Sequence, residues 1–396
     1  MKDRPARRDR SWRTRLAQPE TLARGGFRPL VTPVYRGATT VFENAASARD
    51  TWDQDDLAYT YGQYGTPTAH ELAARVCELE GGHRTFIVPG GQSALALVDL
   101  ALLGAGDHVL LTESIYGPNR NLADMLMQRL GIEVSYYPPL AGAEIADHLR
   151  PNTRLVWCES PGSNTMEVQD VPAIVEAAHA RGALVALDNT WAAGVYFDAF
   201  AHGVDVSVQA LTKYIGGHAD LLLGSVTVRD AALYQRVGET LFVLGMTVSP
   251  DECSLALRGF QTLATRLDAH ERSGLEIAGW LATRPEIELV LHPALPSCPG
   301  HETWRRDFSG SSGVFSIVFG ERYSQDDVFR FADALRLFHI GYSWGGVTSL
   351  VMPRLESAAR SDVGYGHRLV RLSIGLEDPA ELRGDLEAAL DQLAHS

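Results

Sequence analysis

The sequence is poor in cysteine, and neither its cysteines nor its histidines have the spacing of a metal or disulfide site. Its 396 residues include four widely separated cysteines without a CxxC pair, and thirteen histidines without an HExxH motif. Scattered thiols favour a reducing compartment and argue against a disulfide framework. The missing ligand spacings leave no support for a bound metal.

Long apolar runs and an excess of positive charge are missing as well. No apolar run reaches the ~18 residues of a membrane-spanning helix, and none follows the basic N-terminal residues as a signal peptide would require. The formal net charge is −14, which gives no general attraction to nucleic acid or to an anionic membrane. We therefore expect a cytoplasmic enzyme that acts on a small molecule and binds neither nucleic acid nor membranes.

The first 65 residues carry no signal of an independent folded unit. Residues 1–15 contain seven Arg or Lys and two Asp, with almost no apolar residues to bury. We expect a solvated, disordered tail over residues 1–24, in preference to an arm that binds nucleic acid. Residues 25–65 contain prolines and no sustained helical period, which predicts an extended arm that is stabilised by packing on something else. We expect this arm to contact a neighbouring subunit.

Strand and helix signals alternate over residues 66–260. A helix is predicted to begin at Thr66-Pro67-Thr68, and a further helix is expected over Leu122–Leu130. The strand signals are the short apolar runs TFIV, HVLLT, VSYYP, LVWCES, ALVALD, VDVSVQ and DLLLGSVTV. Such alternation predicts βαβ units and therefore an α/β domain with a large, mostly parallel sheet.

The pattern changes in the last third of the chain. A long helical region over Leu255–Leu281 is followed by shorter strand signals, IELVLHPAL, SGVFSIVFG and a segment around Leu372. Helices are predicted at Asp326–Leu337 and Pro379–Leu390. Residues 261–396 are therefore expected to form a smaller C-terminal α+β domain.

Two ionisable residues stand where predicted strands end. Asp188 ends the strand ALVALD, and Lys213 follows the strand VDVSVQ. Open α/β sheets bind their ligands at the carboxyl ends of strands. An acid and a lysine at that edge suit pyridoxal 5′-phosphate (PLP), because the lysine can form a Schiff base with the aldehyde while the carboxylate keeps the ring nitrogen protonated. Taken alone, however, most Lys and Asp residues at strand ends are solvated surface groups.

Three further features each have two interpretations from the residues alone. Pro89-Gly90-Gly91 precedes an apolar helix from Gln92, so it is either a phosphate-binding turn or a plain strand-to-helix connection. The tyrosines at positions 59, 61 and 64 are either core residues or the rim of a binding site. Arg371, alone in a short strand, is either an interface ion pair or a carboxylate clamp.

Eight motifs together carry a resemblance to a known family. In chain order they are YGQYGTPT, ESPGSNTMEVQDVPAI, DNTWAAG, VQALTKYIGGH, HPALPSCPGH, RRDFSGSSGVFS, YSWGG and RLSIGLEDP. Over residues 25–395 the sequence resembles the Cys/Met-metabolism family of fold-type I PLP-dependent enzymes. The resemblance implies the fold-type I PLP-dependent transferase fold, with an N-terminal arm, a large PLP-binding domain and a small C-terminal domain.

The resemblance implies a role for each matching residue around the cofactor. Lys213 would carry the cofactor and shuttle protons between Cα and the leaving sulfur, and Asp188 would pair with the pyridinium nitrogen. The phosphate would be held by the backbone N–H groups of Gly91 and Gln92 and by Thr212.

The remaining implied roles concern the ring and the substrate. Tyr116 would stack on the cofactor ring, and Tyr61 would reach the site from a neighbouring subunit. Arg371 would bind the substrate α-carboxylate, helped by Ser343 and Trp344. The family forms homotetramers, dimers of dimers with shared active sites, so the same assembly is expected here.

One position departs from the family pattern at the cofactor. Two residues after Tyr61 the family usually has an arginine that contacts the phosphate from the neighbouring subunit, and this sequence has Gln63. The neutral amide of glutamine replaces the positively charged guanidinium of arginine at that point. The resemblance therefore predicts that the phosphate charge is less well neutralised.

The resemblance also implies the reaction. Trp344 stands in SWGG, where γ-active relatives typically have SLGG, and this favours β-elimination of cystathionine to homocysteine, pyruvate and ammonia in methionine biosynthesis. The first alternative is a cysteine-S-conjugate or specialised-pathway C–S β-lyase. An alternative of another class is a PLP-bound regulatory protein without turnover, which Lys213, Asp188 and Arg371 disfavour.

Overall fold

The computed structural model of the chain describes residues 10–18, 29–54, 59–353 and 364–393. Parts of the expected tail and arm (1–9, 19–28 and 55–58) lie outside the described residues, as do 354–363 and 394–396 of the expected C-terminal domain. Within the described ranges, no helix combines the length and the apolarity needed to cross a membrane.

A seven-stranded sheet forms the centre of the larger part of the molecule. Its strands are β1 (Arg84–Val88), β2 (His108–Thr112), β3 (Glu133–Tyr137), β4 (Thr153–Glu159), β5 (Leu184–Asp188), β6 (Val206–Ala210) and β7 (Gly224–Val228). They lie side by side in the order β1, β7, β6, β5, β4, β2, β3. Neighbours from β3 to β6 are parallel, while β7 is antiparallel to both β6 and β1. The predicted mostly parallel sheet is therefore confirmed.

Both faces of this sheet are covered, as the continuous apolar runs predicted. Along β4, Val156 and Cys158 belong to one buried apolar cluster, and Leu155 and Trp157 belong to another on the opposite face. This alternation follows from the two-residue period of a strand. The sheet is thus a rigid layer whose edges, rather than its faces, are free to present side chains.

Helices flank the sheet and connect it to the smaller domain. They are α1 (Trp12–Ala17), α2 (Pro67–Glu80), α3 (Gly91–Leu102), α4 (Gly117–Leu122), α5 (Val171–His179), α6 (Ala231–Leu244) and α7 (Pro250–Leu281). The predicted start of α2 is confirmed, with Pro67 in its first turn, and the helix ends at Gly81 in the left-handed conformation (φ 78°).

The helix predicted over Leu122–Leu130 is only partly correct. An α-helical turn through Leu122 passes into a π-helical segment, Ala123–Met127, and then a 3₁₀ turn, Gln128–Leu130. Apolar spacing predicted a helical segment but carries no information on the hydrogen-bond register inside it.

The C-terminal part contains a second, five-stranded sheet. Its strands are β8 (Ile287–Leu291), β9 (Val314–Phe319), β10 (His339–Ile340), β11 (Leu350–Met352) and β12 (Leu369–Ser373), in the order β10, β11, β12, β9, β8. Its helices are α8 (His301–Asp307), α9 (Gln325–Ala334) and α10 (Pro379–Asp391). A separate buried apolar cluster lies between this sheet and its helices, so the predicted α+β architecture is confirmed.

The expected disordered tail differs from the structure at residues 10–18. Residues Trp12–Ala17 form α1, and Leu16 is buried. Arg13 forms two hydrogen bonds to Asp268 of α7, at 2.5 and 2.7 Å, and Arg15 pairs with Glu78 of α2 at 3.1 Å. Arg13 and Arg15 thus have acidic partners far away in sequence, and Leu16 and Trp12 pack against a buried apolar cluster of the large domain. Composition alone could not reveal those partners.

Candidate active site

The ends of β5 and β6 carry the two ionisable residues that the sequence singled out. Asp188 is the last residue of β5, and Lys213 follows β6 in the turn after Ala210. The two strands are parallel neighbours, with Asp188 opposite Val208. A cavity of about 460 Å³ at this edge of the sheet is lined by both Asp188 and Lys213.

Most of the predicted site residues line this one cavity. Those that do are Gly91, Gln92, Tyr116, Asp188, Thr212, Lys213, Ser343, Trp344 and Arg371. The segment containing Ser343 and Trp344 and the strand β12 with Arg371 come from the smaller domain. The cavity therefore lies between the two sheets.

Lys213 is held in an environment that favours its neutral form. Its Nζ donates a hydrogen bond to Ser343 Oγ at 2.6 Å and lies 5.5 Å from the centre of the Trp344 ring. Burial, with a smaller contribution from the Arg371 cation, lowers the pKa of Lys213 to about 8. An amine with that pKa can act as a nucleophile and as a base near neutral pH.

Asp188 has one oxygen occupied and one open. The Thr190 hydroxyl and backbone N–H both donate to Oδ1, at 2.5 and 3.0 Å, whereas no described residue donates to Oδ2. Burial raises the pKa of Asp188 because no cation compensates its charge fully. A cationic ligand atom at Oδ2 would supply the missing partner.

Arg371 extends from β12 and donates hydrogen bonds to neutral acceptors, and none of the described carboxylates is among its partners. Its Nη1 donates to Asn164 Oδ1 at 3.3 Å and its Nη2 donates to the Ser343 carbonyl at 3.1 Å. Burial lowers the pKa of Arg371 to about 10. None of the described carboxylates forms an ion pair with it, which favours the carboxylate clamp among the two interpretations given above.

The segment that carries Ser343 has a conformation rarely adopted by side-chain-bearing residues. Ser343 has φ 73°, and Gly345 has φ 81°. A Cβ at Gly345 would lie 3.1 Å from the Tyr214 N. Backbone of this kind is found at functional sites, where the surroundings enforce it. Here it brings the Ser343 hydroxyl to the lysine.

The N-terminus of α3 points backbone N–H groups into the cavity. Gly91 is the first residue of the helix, and a Cβ there would lie 2.8 Å from the Ala210 Cβ, so only glycine permits this close approach to β6. The Gln92 side chain is engaged elsewhere, since its Nε2 donates to Pro118 O at 3.0 Å. Gly91 and Gln92 can therefore offer main-chain donors and the positive end of the helix dipole to an anion.

Thr212 is near the same corner but its hydroxyl already has partners. It lies 3.2 Å from both the carbonyl oxygen and the backbone nitrogen of Leu223, donating to the first and accepting from the second. A hydroxyl has one proton to donate. Thr212 can serve a bound phosphate only by exchanging the Leu223 carbonyl for it.

Sequence reasoning missed Glu159 as a site residue. Glu159 is the last residue of β4, directly opposite Asp188, and it lines the cavity. Its Oε2 accepts from the backbone N–H of Tyr116 at 2.6 Å. Burial, and secondarily the Asp188 charge, raises the pKa of Glu159 well above its ordinary value. Its position at the end of the strand LVWCES was the available signal, because the same rule selected Asp188.

Tyr61 and Gln63 do not line the cavity of the single chain. Tyr61 is 45% exposed, and the Gln63 Nε2 is 3.4 Å from the Phe242 carbonyl, to which it donates. Their roles at the cofactor therefore stay predictions, which depend on a second copy of the chain.

The site combines a lysine of lowered pKa, a buried acid with an open oxygen, a helix N-terminus and a buried arginine that has no carboxylate partner among the described residues. This arrangement defines an α/β enzyme that works with pyridoxal phosphate. The chain belongs to the family of Cys/Met metabolism PLP-dependent enzymes, which it matches over residues 13–391, and PLP is its cofactor.

Individual relatives agree with the family match. The sequence is 41% identical to cystathionine β-lyase MetC of Escherichia coli, covering 91% of this chain and 93% of that protein. It is 40% identical to cystathionine β-lyase of Bordetella avium, covering 93% and 94%. The crystal structure of metB from Corynebacterium glutamicum matches 98% of this chain and 99% of that one, with a TM-score of 0.90 at 28% identity.

Proposed function

We propose that the protein is a carbon–sulfur lyase that cleaves the Cβ–S bond of cystathionine to give homocysteine, pyruvate and ammonia, a step of methionine biosynthesis. The observation that carries the proposal is the convergence of the Lys213 amine, the Asp188 carboxylate and the Arg371 guanidinium on one cavity. The names of the two β-lyase relatives support the choice of substrate.

The residues present fit the cofactor. The open Oδ2 of Asp188 suits a protonated ring nitrogen, and the N–H groups of Gly91 and Gln92 suit a phosphate. Tyr116, the residue just before α4 at the cavity wall, would cover the ring. When bound, PLP supplies the electron sink that makes the Cα proton of an amino acid acidic.

The chain's own residues supply binding and proton transfer. Arg371 binds the substrate α-carboxylate through its planar fork. The neutral Lys213 amine removes the Cα proton, the Cβ–S bond breaks with its electron pair leaving on sulfur, and Lys213 returns the proton to that sulfur. The Ser343 hydroxyl, 2.6 Å from Nζ, orients the amine. One water is consumed when the three-carbon product is released as pyruvate and ammonia.

A substrate panel tests the proposed function. Purified protein with PLP is given cystathionine, cystine, a cysteine S-conjugate, methionine and L-alanine, and the keto acids, thiols and enantiomers are identified. We expect pyruvate and homocysteine from cystathionine at the highest kcat/KM. Predominant 2-oxobutanoate would indicate γ-elimination, conversion of L-alanine to D-alanine would indicate racemisation, and a preference for the S-conjugate would support the specialised-pathway β-lyase.

The rate of PLP capture by the apoprotein is expected to rise with pH and to level off above about 8. Only the neutral amine attacks an aldehyde, and burial together with the Arg371 cation disfavours the charged form of Lys213, so its pKa is lowered to about 8. Stopped-flow absorbance over a pH series measures the midpoint. In Arg371→Leu the neighbouring cation is absent, so the midpoint should move upward. A midpoint above pH 10 in the unchanged protein would contradict the assigned environment.

We propose that the enzyme works as a homotetramer in the cytoplasm. The N-terminal arm exposes apolar side chains, with Leu30 at 88% and Val41 at 90%, and Tyr61 is exposed and does not line the cavity of its own chain. A second subunit would cover these residues and receive Tyr61. The four cysteines are free thiols, as a reducing compartment requires.

Sedimentation velocity measures the assembly. Co-expression of Tyr61→Ala with Lys213→Ala tests whether active sites are shared between subunits, because activity restored in the mixture requires Tyr61 to act across subunits.

Gln63→Arg is expected to slow the loss of PLP. If Gln63 approaches the phosphate of a neighbouring subunit, a guanidinium adds a charge-assisted fork where the present amide is neutral, worth about 1–3 kcal/mol. Dialysis against an amine that scavenges PLP measures the release rate, with Gln63→Lys as the control that adds charge without the fork. Equal or faster release from the Arg variant would show that Gln63 is not at the phosphate.

A further inference from the structure

Arg266, in the middle of α7, is a buried arginine without a carboxylate partner among the described residues. It is 5% exposed, and burial lowers its pKa to about 10. Its hydrogen bonds to main-chain oxygens run from Nη1 to Tyr214 O at 2.6 Å and from Nη2 to Gly259 O at 2.8 Å and Ile215 O at 3.4 Å. Buried cations are normally paired with anions, so this arrangement requires a structural reason.

Two of those carbonyls belong to the residues directly after Lys213. The chain turns sharply there: the Gly216 N–H donates to Leu211 O at 2.8 Å, and the Gly217 N–H donates to Lys213 O at 2.7 Å. The carbonyl oxygens of Tyr214 and Ile215 are left for Arg266. The guanidinium thus completes the hydrogen bonding of the turn that presents the lysine.

Two glycines allow the turn and α7 to approach this closely. A Cβ at Gly259 would lie 2.3 Å from Gly216 O and 2.4 Å from Ile215 O. A Cβ at Gly217, where φ is 71°, would lie 2.0 Å from Arg266 Nη1. Gly259 and Arg266 are two helical turns apart and share one face of α7. That face is shaped around the lysine turn.

The next turn of the same face holds the other half of the site. His270 donates from Nδ1 to Ile374 O at 2.8 Å, just beyond the strand that carries Arg371. The ring of Tyr214 lies 5.1 Å from the His270 ring. One helix therefore touches both the segment of the lysine and the segment of the carboxylate clamp.

We propose that Arg266 is a positioning residue for Lys213: it fixes the turn at Tyr214–Gly217 on α7 and so sets where the lysine amine stands relative to Asp188 and Arg371. This inference deepens the proposed function and rests on the role of Lys213 given there. His270, one turn further, is the corresponding support for the Arg371 strand.

Arg266→Met tests the proposal by keeping the apolar stem and removing the donors. We expect kcat to fall about 100-fold, the size of effect that follows from misplacing a reacting group by about 1 Å, with a smaller change in KM. The absorbance of the lysine-bound cofactor should titrate at a different pH, and capture of PLP by the apoprotein should slow. Arg266→Lys, which keeps the charge and one donor group, should recover part of both properties. This second variant keeps the test valid if Arg266→Met fails to fold.

Gly217→Ala reaches the same contact without removing the arginine. The added methyl group displaces the guanidinium, so the same shift in the absorbance titration is expected. Gly279→Ala is the control, because Gly279 lies on α7, the helix of Arg266, and has no atom within 4 Å of a Cβ. Combining Gly217→Ala with Arg266→Met should add little to either change, since both act through one contact.

His270→Leu separates the two halves of the helix. It removes the donor to Ile374 and should raise KM more than it lowers kcat, the reverse of Arg266→Met, whereas His270→Asn keeps a donor near Nδ1 and should recover KM. If Arg266→Met and Arg266→Lys melt at a lower temperature but keep the wild-type kcat and absorbance titration, Arg266 is structural only and the inference is wrong. Turnover that persists in Lys213→Ala would instead overturn the proposed function.

Discussion

Lys213→Ala is expected to lose both thioether cleavage and the visible absorbance of lysine-bound PLP. The amine is the only basic group found within hydrogen-bond distance of Ser343 Oγ in the described cavity, and it has the lowered pKa that proton transfer requires. Without this amine, there is no nucleophile to bind the cofactor aldehyde and no base to remove the Cα proton. We expect kcat to fall by at least about 10⁴-fold, comparable to the removal of a nucleophile in other enzymes.

The other lysine of the sequence provides the control for this experiment. The sequence contains two lysines, Lys2 and Lys213, so Lys2→Ala removes the other candidate amine. Reduction with borohydride followed by peptide mapping should label the unchanged protein and Lys2→Ala at Lys213, and should leave Lys213→Ala unlabelled. Appreciable turnover or labelling in Lys213→Ala would mean that the site assignment is wrong.

Arg371→Leu is expected to lower kcat/KM, mainly by raising KM. The loss corresponds to about 2–5 kcal/mol of transition-state binding free energy. The guanidinium is buried with only neutral acceptors, Asn164 Oδ1 and Ser343 O, so it is available to a substrate carboxylate. Arg371→Lys should recover less than half of the loss in free energy, since it restores the charge but not the fork. Kinetics with cystathionine, and with an analogue in which an amide replaces the α-carboxylate, measure the effect.

Two observations would reassign Arg371. If kcat/KM is unchanged in Arg371→Leu, or if the unchanged enzyme handles the amide analogue as well as the acid, the arginine does not bind the carboxylate. Arg305→Leu is a surface control, because the Arg305 side chain is 61% exposed and, in the part of the chain that the structure describes, pairs only with Glu302 of its own helix. It should match the unchanged enzyme in both assays.

Strand ends were predictable because they need only local information. The apolar runs before Asp188 and Lys213 predict two parallel strands, and parallel strands end at the same edge of a sheet, so the sequence alone places the two residues together. Glu159 stands at the end of an equally clear strand. The end-of-strand rule could have selected it as well, and only its place directly opposite Asp188 depends on the order of the strands in the sheet, which the sequence does not reveal.

Features that depend on distant partners were not predictable. The helix around Leu16 has arginines that pair with Asp268 and Glu78. The sequence near residue 16 contains no signal that identifies these two distant partners. Arg266 gave no signal either, since an arginine in a long helix is ordinarily solvated. Its burial follows from the turn at Tyr214–Gly217, about 50 residues away, and from two glycines whose role shows only in three dimensions.

The antiparallel strand β7 has a consequence for how the chain folds during synthesis. β1 lies at the edge of the large sheet, and its strand partner is β7, with Arg84 opposite Val228, about 140 residues later. At roughly 5–20 residues per second, a ribosome needs on the order of ten seconds to cover that interval. The buried side chains of β1, Phe86 and Val88 among them, stay without their strand neighbour throughout. We expect the large domain to remain open and dependent on chaperones until residue 228 has emerged, and ribosome-bound chains ending before β7 should be more protease-sensitive than chains ending after it.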